Sequence, residues 1–141
     1  MSDRLPAAGT LRFNRDVRPI LSDRCFACHG PDKNTRKANF RLDIEANAKA
    51  DLGKSRRGIV ADKPEQSEIY KRIISTSPGL RMPPAYLGHD RLSQREIDTI
   101  HKWIEEGAAY EPHWSFVPPQ RPALPSVRPS ASSAVSIFAE N

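Results

Sequence analysis

The sequence predicts a small all-α domain with long loops, followed by a proline-rich C-terminal tail. Three segments carry apolar residues at helical spacing, and one of them begins with a capping box. A length of 141 residues allows one domain. Six of the 13 prolines lie in the last quarter of the chain: Pro112, Pro118, Pro119, Pro122, Pro125 and Pro129. We therefore expect a flexible N-terminus over residues 1–10, the domain over residues 11–116, and a Pro/Ser-rich linker or tail over residues 117–141.

The first helix is expected within residues 11–24. Its apolar stripe consists of Val17, Ile20 and Leu21. Pro19 lacks a backbone N–H, so we expect the regular helix to begin near Asp16, with Pro19 in its first turn. Gly30 and Pro31 then end the helical segment.

The middle of the chain is expected to alternate between loop and helix. Residues 32–60 are polar and predict a loop with a short helix around residues 44–51. A second amphipathic helix is expected over residues 65–75. The side chains predicted to face the core from this helix are Ile69, Ile73 and Ile74.

The last helix has the clearest boundaries. Ser93 and Glu96 have the spacing of a capping box, and Leu92 and Ile97 have the spacing of a hydrophobic staple. Its apolar stripe consists of Ile97, Ile100, Ile104 and Ala108. Gly107 is expected to end the helix.

Composition and charge exclude several classes of protein. The net charge is +5, from 22 Lys and Arg against 17 Asp and Glu, which suits a solvated surface or, alternatively, an acidic protein partner or an anionic surface. No signature of a nucleic-acid-binding module accompanies this charge. No apolar run is long enough to cross a bilayer, so an integral membrane segment is not expected. Hydrophobic residues form only 38% of the chain, so a buried cofactor would enlarge a small core.

The two cysteines lie in the run Cys25-Phe26-Ala27-Cys28-His29. A redox dithiol would follow a strand in a βαβ pattern, and a zinc site would need two more ligands at a suitable spacing. The third interpretation is covalent haem attachment, for which C-x-x-C-H is the signature. Because positions i, i+3 and i+4 share a helix face, both thiols can reach one porphyrin edge, and His29 can bind the iron. The sequence favours haem and leaves the other two interpretations open.

A second iron ligand is suggested by Met82, the only methionine after the initiator and 53 residues beyond His29. Pro83 and Pro84 follow it and stiffen the loop. A thioether paired with an imidazole suits an electron-transfer haem, because the pair raises the reduction potential. The alternative is that Met82 fills a gap in the core.

With these motifs in place, the chain resembles class I cytochromes c, and more narrowly the planctomycete-type cytochrome c domain. The resemblance extends over residues 11–119. Its matching stretches are Phe13-Asn14-Arg15-Asp16-Val17-Arg18-Pro19-Ile20-Leu21, the C-x-x-C-H run with Gly30-Pro31-Asp32-Lys33, Arg41-Leu42-Asp43, Met82-Pro83-Pro84, Trp103-Ile104-Glu105-Glu106-Gly107-Ala108 and His113-Trp114-Ser115-Phe116. The chain departs from the family at Ala61-Asp62, where a glycine is usual.

The resemblance implies a cytochrome c-like fold around one haem c and a role in electron transfer. It implies that Cys25 and Cys28 form thioethers and that His29 and Met82 are the axial ligands of the iron. It also implies a periplasmic or otherwise exported module of a larger protein. Because residues 1–10 lack an apolar segment, we expect a secretory leader to have been removed. The alternatives are a sensory or catalytic haem with an open sixth site, and a structural module with a zinc-bound or disulfide-bonded cysteine pair.

Three further side chains are candidates for the haem environment. His89 would be the first substitute if Met82 does not bind the iron. His101 lies on the apolar stripe of the last helix, where we expect it to pack in the core or at the haem edge. Arg81 either reaches a haem propionate or stays exposed beside Met82.

Four aromatic side chains are assigned to packing. Phe13 and Trp103 are expected to form a pair where the first and last helices cross. His113 and Trp114 are expected to pack against the domain surface at the start of the linker.

Overall fold

The computed structural model describes residues 10–123. Its helices are α1 (Arg18–Arg24), α2 (Phe26–His29), α3 (Glu45–Ala48), α4 (Glu68–Ile74) and α5 (Gln94–Glu105). A π-helical turn, Phe13–Val17, precedes α1, and 3₁₀ turns lie at Pro64–Gln66, Ala85–Leu87 and Trp114–Phe116. Within residues 10–123 there is no strand, only two isolated bridges that join Arg57 to Asp51 and to Ser67. The all-α prediction is confirmed for this part of the chain.

The predicted terminal segments fall largely outside this range. Residues 1–9 of the expected flexible N-terminus and residues 124–141 of the expected tail, including Pro125 and Pro129, lie outside the described residues. Residues 117–123 are exposed and have no regular secondary structure. Among residues 10–123, no helix is long and apolar enough to cross a membrane.

The first helical segment differs in one respect from a single continuous helix. Pro19 occupies the first turn of α1, as predicted, and the π-helical turn lies before it. The helix is interrupted at Cys25, whose φ of −128° and ψ of −37° separate α1 from α2. The turn after the interruption therefore begins at the first cysteine of the C-x-x-C-H run.

The core is built where the π-helical turn crosses α5. The rings of Phe13 and Trp103 are 5.6 Å apart, which confirms the predicted aromatic pair. Tyr110 completes the cluster, with its ring 4.3 Å from that of Phe13 and its hydroxyl donating to the Leu42 carbonyl at 2.9 Å. Burial raises the pKa of the Tyr110 hydroxyl, which keeps this donor protonated.

The boundaries of α5 agree with the sequence. Ser93 and Glu96 form both halves of the capping box. The staple residues Leu92 and Ile97 are buried, as are the other members of the apolar stripe, Ile100, Ile104 and Ala108. At the C-terminus Gly107 has a φ of +99°, and its N–H donates to the Ile104 carbonyl at 3.0 Å. The Ala108 N–H donates to the Trp103 carbonyl at 2.9 Å, which completes a Schellman motif.

Two packing predictions are wrong. Ile69 and Ile73 of α4 are buried, but Ile74 is 40% exposed. Ile74 lies five residues after Ile69, a rotation of about 140° around the helix, so it faces away from the core. Trp114 is 69% exposed; its ring contacts the neighbouring His113 ring, with centroids 5.3 Å apart, and does not pack against the domain surface.

The two ends of the domain lie side by side. Arg12 forms an ion pair with Glu111 at 2.9 Å, and the Asn14 backbone N–H donates to the same carboxylate at 2.9 Å. The Leu11 N–H donates to Glu106 at 3.2 Å. These contacts join residues that are more than ninety positions apart in sequence.

The loop before α4 contains a second left-handed residue of interest. Asp62 has a φ of +62°, and its N–H donates to the Ile104 carbonyl at 2.9 Å. Asp62 therefore adopts the left-handed conformation that favours glycine, at the position where the chain departs from its resemblance. The turn is retained without the glycine.

Candidate functional site

The C-x-x-C-H run forms one helical turn. The Cys25 carbonyl accepts hydrogen bonds from the Cys28 N–H at 3.1 Å and from the His29 N–H at 2.8 Å. Gly30 then leaves the helix with extended dihedral angles. A Cβ at Gly30 would lie 2.8 Å from the Phe26 Cβ, so only glycine fits this close approach. The backbone thus places the first cysteine and the histidine four residues apart on one turn.

The loop over residues 37–42 packs against this turn. The Lys37 N–H donates to the Cys28 carbonyl and the Leu42 N–H donates to the His29 carbonyl, each at 2.8 Å. The Phe40 ring meets the His29 ring edge-on, with centroids 5.3 Å apart. These contacts hold His29 from both its backbone and its side chain.

Gly58 permits the approach of Phe40. A Cβ at Gly58 would overlap the Phe40 ring and would lie 2.5 Å from the Ala48 carbonyl oxygen. The Phe40 ring therefore lies between Gly58 and His29. Phe40 and Gly58 were not singled out by the sequence, because each lies in an aperiodic loop.

A cavity of about 440 Å³ brings together three of the four predicted haem-binding residues, Cys25, His29 and Met82. Its apolar walls come from Ala38, Phe40, Leu42, Leu52, Ile69 and Ile73. Its polar lining comes from Asn39, Asp51, Arg56, Glu68 and Arg72. This volume and this mainly apolar lining are typical of cofactor sites. Cys28 lies on the same turn as Cys25 but does not line the cavity.

Met82 reaches the cavity from the segment after α4. Its backbone N–H donates to the Arg72 carbonyl at 3.0 Å, and the following Pro83 is buried. The peptide bond between Met82 and Pro83 is cis. The segment that carries the thioether is thus attached to α4, which forms one wall of the cavity.

The electrostatic environment favours neutral forms of His29 and Cys25. Burial lowers the pKa of His29 and outweighs the effect of the Phe40 and Lys37 carbonyls, which favour the charged ring. Burial also raises the pKa of the Cys25 thiol to about 12, so this side chain is a thiol at physiological pH. A neutral imidazole is the form that binds a metal.

Two buried side-chain nitrogens of the described residues have no hydrogen-bond partner: His29 Nδ1 at the cavity, and Arg81 Nε one residue before Met82. Within the described residues, His29 Nδ1 is buried and has no partner of normal geometry. Buried polar atoms are normally satisfied, so an imidazole held in this way is a candidate for a ligand-binding role. The donor set, the apolar walls and the neutral imidazole all fit a haem.

A zinc site is not supported by the arrangement of side chains. In residues 10–123, no group of three or more His, Cys, Asp or Glu residues is placed to hold a metal ion. A protein zinc site needs three or four such ligands. Cys25 and Cys28 are both free thiols.

The three further candidates lie away from the cavity lining. His89 is exposed, and its carbonyl accepts a hydrogen bond from Arg81 Nη2 at 2.8 Å. His101 packs edge-on against Tyr70, with centroids 4.9 Å apart, and its Nε2 lies 3.8 Å from Glu65. His101 is therefore partly exposed beside α4, and the expectation of a core or haem-edge position is wrong.

The sequence also missed Arg72, which lines the cavity and contacts residues 77–82, the Met82 segment. Arg72 follows the amphipathic pattern of α4 as a polar residue, and this pattern indicates only a solvated face. The one indication in the sequence that Arg72 could reach the cavity was its position next to Ile73, which was predicted to face inward.

Comparison with known proteins supports the resemblance over part of its proposed extent. The family model described as Planctomycete cytochrome C matches residues 25–85. This range includes the C-x-x-C-H run, the cavity walls from the middle of the chain, and Met82 with both prolines. No curated protein and no solved structure gives a significant match. This match supports a planctomycete-type cytochrome c domain in the chain, over residues 25–85.

Proposed function

We propose that Cys25 and Cys28 attach one haem c as thioethers, that His29 and Met82 are the axial ligands of its iron, and that the domain transfers electrons. One observation carries this proposal: His29 and Met82, 53 residues apart in sequence, line the same cavity with Cys25. The match of residues 25–85 to a cytochrome c family supports haem c as the cofactor. The haem supplies one-electron redox chemistry when it is bound.

The chain contributes the proposed iron ligands, an apolar wall and the charged side chains of the cavity lining. The neutral His29 ring and the Met82 thioether form the pair that raises a haem potential, because the soft sulfur favours the reduced iron. The apolar wall limits access of water to the cavity. Arg56 and Arg72 line the cavity together with Asp51 and Glu68, so the charges of the lining balance.

The wider context is part of the same proposal. We place the haem domain over residues 11–116, with residues 117–141 as a linker to neighbouring domains of a larger exported, periplasmic protein. The net charge of +5 favours an acidic redox protein as partner. Electron transfer is favoured over stand-alone catalysis because the cavity brings the two proposed iron ligands, His29 and Met82, together.

Covalent attachment is tested by making the protein with a secretory leader in a host that matures haem c. We expect the wild type to keep its haem after denaturation and acid–organic extraction, with the mass of one haem added to the chain. Single Cys25→Ala and Cys28→Ala variants should each keep one thioether. The double variant should lose the haem on extraction. A wild type without the added mass would refute the proposal.

The sixth ligand is tested by optical spectroscopy. The ferric wild type should show the weak long-wavelength band of sulfur-to-iron charge transfer, and the reduced protein should resist carbon monoxide. Met82→Ala should lose the band, bind carbon monoxide and have a lower potential. Met82→His should restore six-coordination at a low potential. His89→Ala is the matched control, because His89 does not line the cavity, and it should behave as the wild type.

The same measurements separate electron transfer from a sensory or catalytic haem. If the wild type binds carbon monoxide as readily as Met82→Ala, Met82 is not a ligand and the sixth position is open. If His89→Ala, and not Met82→Ala, changes the spectrum, the histidine is the ligand. Either result contradicts the assignment of Met82.

A further inference from the structure

The Met82 segment is attached to α4 chiefly through Arg72. The Arg72 carbonyl accepts the Met82 N–H at 3.0 Å, and the Arg72 guanidinium donates through Nη1 to the Leu80 carbonyl at 3.4 Å. The side chain is 30% exposed and lines the cavity. Arg72, a residue of the cavity wall, therefore contacts the segment at both Met82 and Leu80.

Glu68 orients the guanidinium from the preceding helical turn. Its Oε2 lies 3.6 Å from Arg72 Nε, an i,i+4 ion pair on α4. Glu68 also lines the cavity, and its side chain is mostly buried. The planar guanidinium thus bridges a carboxylate on the helix and a carbonyl on the loop, which is a geometry that lysine does not reproduce.

The other hydrogen bonds of this segment do not replace the contact. The Leu80 and Arg81 N–H groups both donate to the Ser77 carbonyl, and Arg81 Nη2 donates to the His89 carbonyl. These bonds join the loop to itself. Arg91 Nη2 donates to the Ile74 carbonyl at 3.2 Å, at the far end of the segment. None of these bonds connects the residues before Met82 with the cavity wall.

We propose that Arg72 is a positioning residue that holds Met82 at the iron by tying the Leu80 carbonyl to α4. The proposal rests on the proposed function, because it assigns to Met82 the role of sixth ligand. Without the guanidinium, the backbone bond at Met82 is the one remaining hydrogen bond described between residues 77–82 and α4, and the segment leaves the cavity more often. The Met82 sulfur is then away from the iron for a larger fraction of the time.

The test uses the haem-loaded protein and three variants. Arg72→Ala removes the bridge, and Arg72→Lys keeps the positive charge but removes the planar fork. Lys71→Ala is the matched control: Lys71 is the adjacent cation on α4 and lies 3.4 Å from the same Glu68, but it is 51% exposed and does not line the cavity. The thermal midpoint of each variant shows whether the fold is retained.

Three readouts report on the sulfur: the charge-transfer band of the ferric protein, the reduction potential, and the rate of carbon monoxide binding to the reduced protein. For Arg72→Ala and Arg72→Lys we expect carbon monoxide to bind about threefold to tenfold faster, since one partly exposed hydrogen bond is lost. The band should weaken and the potential should fall. Lys71→Ala should match the wild type in all three.

The outcomes distinguish this inference from the proposed function. If the wild type shows the band and both Arg72 variants match Lys71→Ala, Arg72 does not position Met82. If Lys71→Ala and Arg72→Ala change equally while Arg72→Lys is normal, charge alone matters and the inference is wrong. If the wild type lacks the band, the assignment of Met82 itself fails. Where Arg72→Ala does not fold, Arg72→Lys decides by the same criteria.

Discussion

Gly58 lies at the tightest contact in the wall around His29, and its replacement by alanine gives a quantitative prediction. The added Cβ would overlap the Phe40 ring and would lie 2.5 Å from the Ala48 carbonyl oxygen. The ring can turn away, but the Ala48 carbonyl accepts a hydrogen bond from the Ile59 N–H at 2.9 Å. The backbone at Ala48 therefore cannot move without weakening that bond.

The expected cost follows from this crowding. Inserting a methyl group into a packed site costs about 1–3 kcal/mol, and a backbone clash places Gly58→Ala in the upper part of that range, at about 2–3 kcal/mol. For a domain of this size, the loss corresponds to a fall in Tm of roughly 10–20 °C. The backbone of Gly58 is not in the left-handed region, so the effect is steric.

The assay is thermal and urea unfolding of the ferric, haem-loaded protein. Gly79→Ala is the control, because no atom lies within 4 Å of its added Cβ and its φ is not left-handed. We expect the control to stay within about 0.5 kcal/mol of the wild type. Adding Phe40→Leu to Gly58→Ala removes the overlapping ring atoms and should restore part of the stability. A Gly58→Ala variant as stable as the Gly79→Ala control would refute the packing described around His29.

Three further predictions concern pH, the Tyr110 hydroxyl and the cofactor. Burial opposes the charge of Glu96, but hydrogen bonds from Ser93 and the charge of Arg24 outweigh it and hold the pKa of Glu96 below its usual range. The stabilisation is therefore complete above the ordinary Glu pKa and is lost as pH falls through the lower folded-state value, so urea unfolding of Glu96→Gln should depend less on acid pH. Tyr110→Phe leaves the Leu42 carbonyl without its donor and should cost about 1–2 kcal/mol in urea unfolding. The haem-free chain should lack a cooperative thermal transition in calorimetry, because its apolar core is small.

Each of these has a contradicting result. If the free energy of unfolding of Glu96→Gln falls at acid pH as steeply as that of the wild type, the capping carboxylate is not held in its charged form. Full stability of Tyr110→Phe would mean that water satisfies the Leu42 carbonyl. A sharp, native-like transition in haem-free protein would mean that the cofactor contributes little to the core.

Features with local causes could be predicted from the sequence. The boundaries of α5 depend on Ser93, Glu96 and Gly107, which act within one helical turn of each end. The C-x-x-C-H turn was likewise readable, because five consecutive residues define it. The aromatic pair of Phe13 and Trp103 was predicted from the expected crossing of the first and last helices.

Features that depend on distant contacts could not be predicted. Tyr110 completes the core through a hydrogen bond to a residue 68 positions away. Phe40 and Gly58 meet because two aperiodic loops pack together, and no spacing rule connects them. Ile74 was assigned to the core with the amphipathic pattern of α4, although it lies about 140° around the helix from Ile69 and is 40% exposed. Arg72 was not singled out by the sequence, since periodicity does not show which loop a helix faces.

The adjacency of the two domain ends has a mechanical consequence. The ion pair of Arg12 with Glu111 and the neighbouring hydrogen bond from Asn14 join the first segment of the domain to the last. A pulling force applied through the flanking polypeptide therefore acts first across these contacts. The load passes from one end to the other without crossing the loops that carry His29 and Met82. Until these contacts break, strain in the residues on either side of the domain does not act on the walls of the cavity.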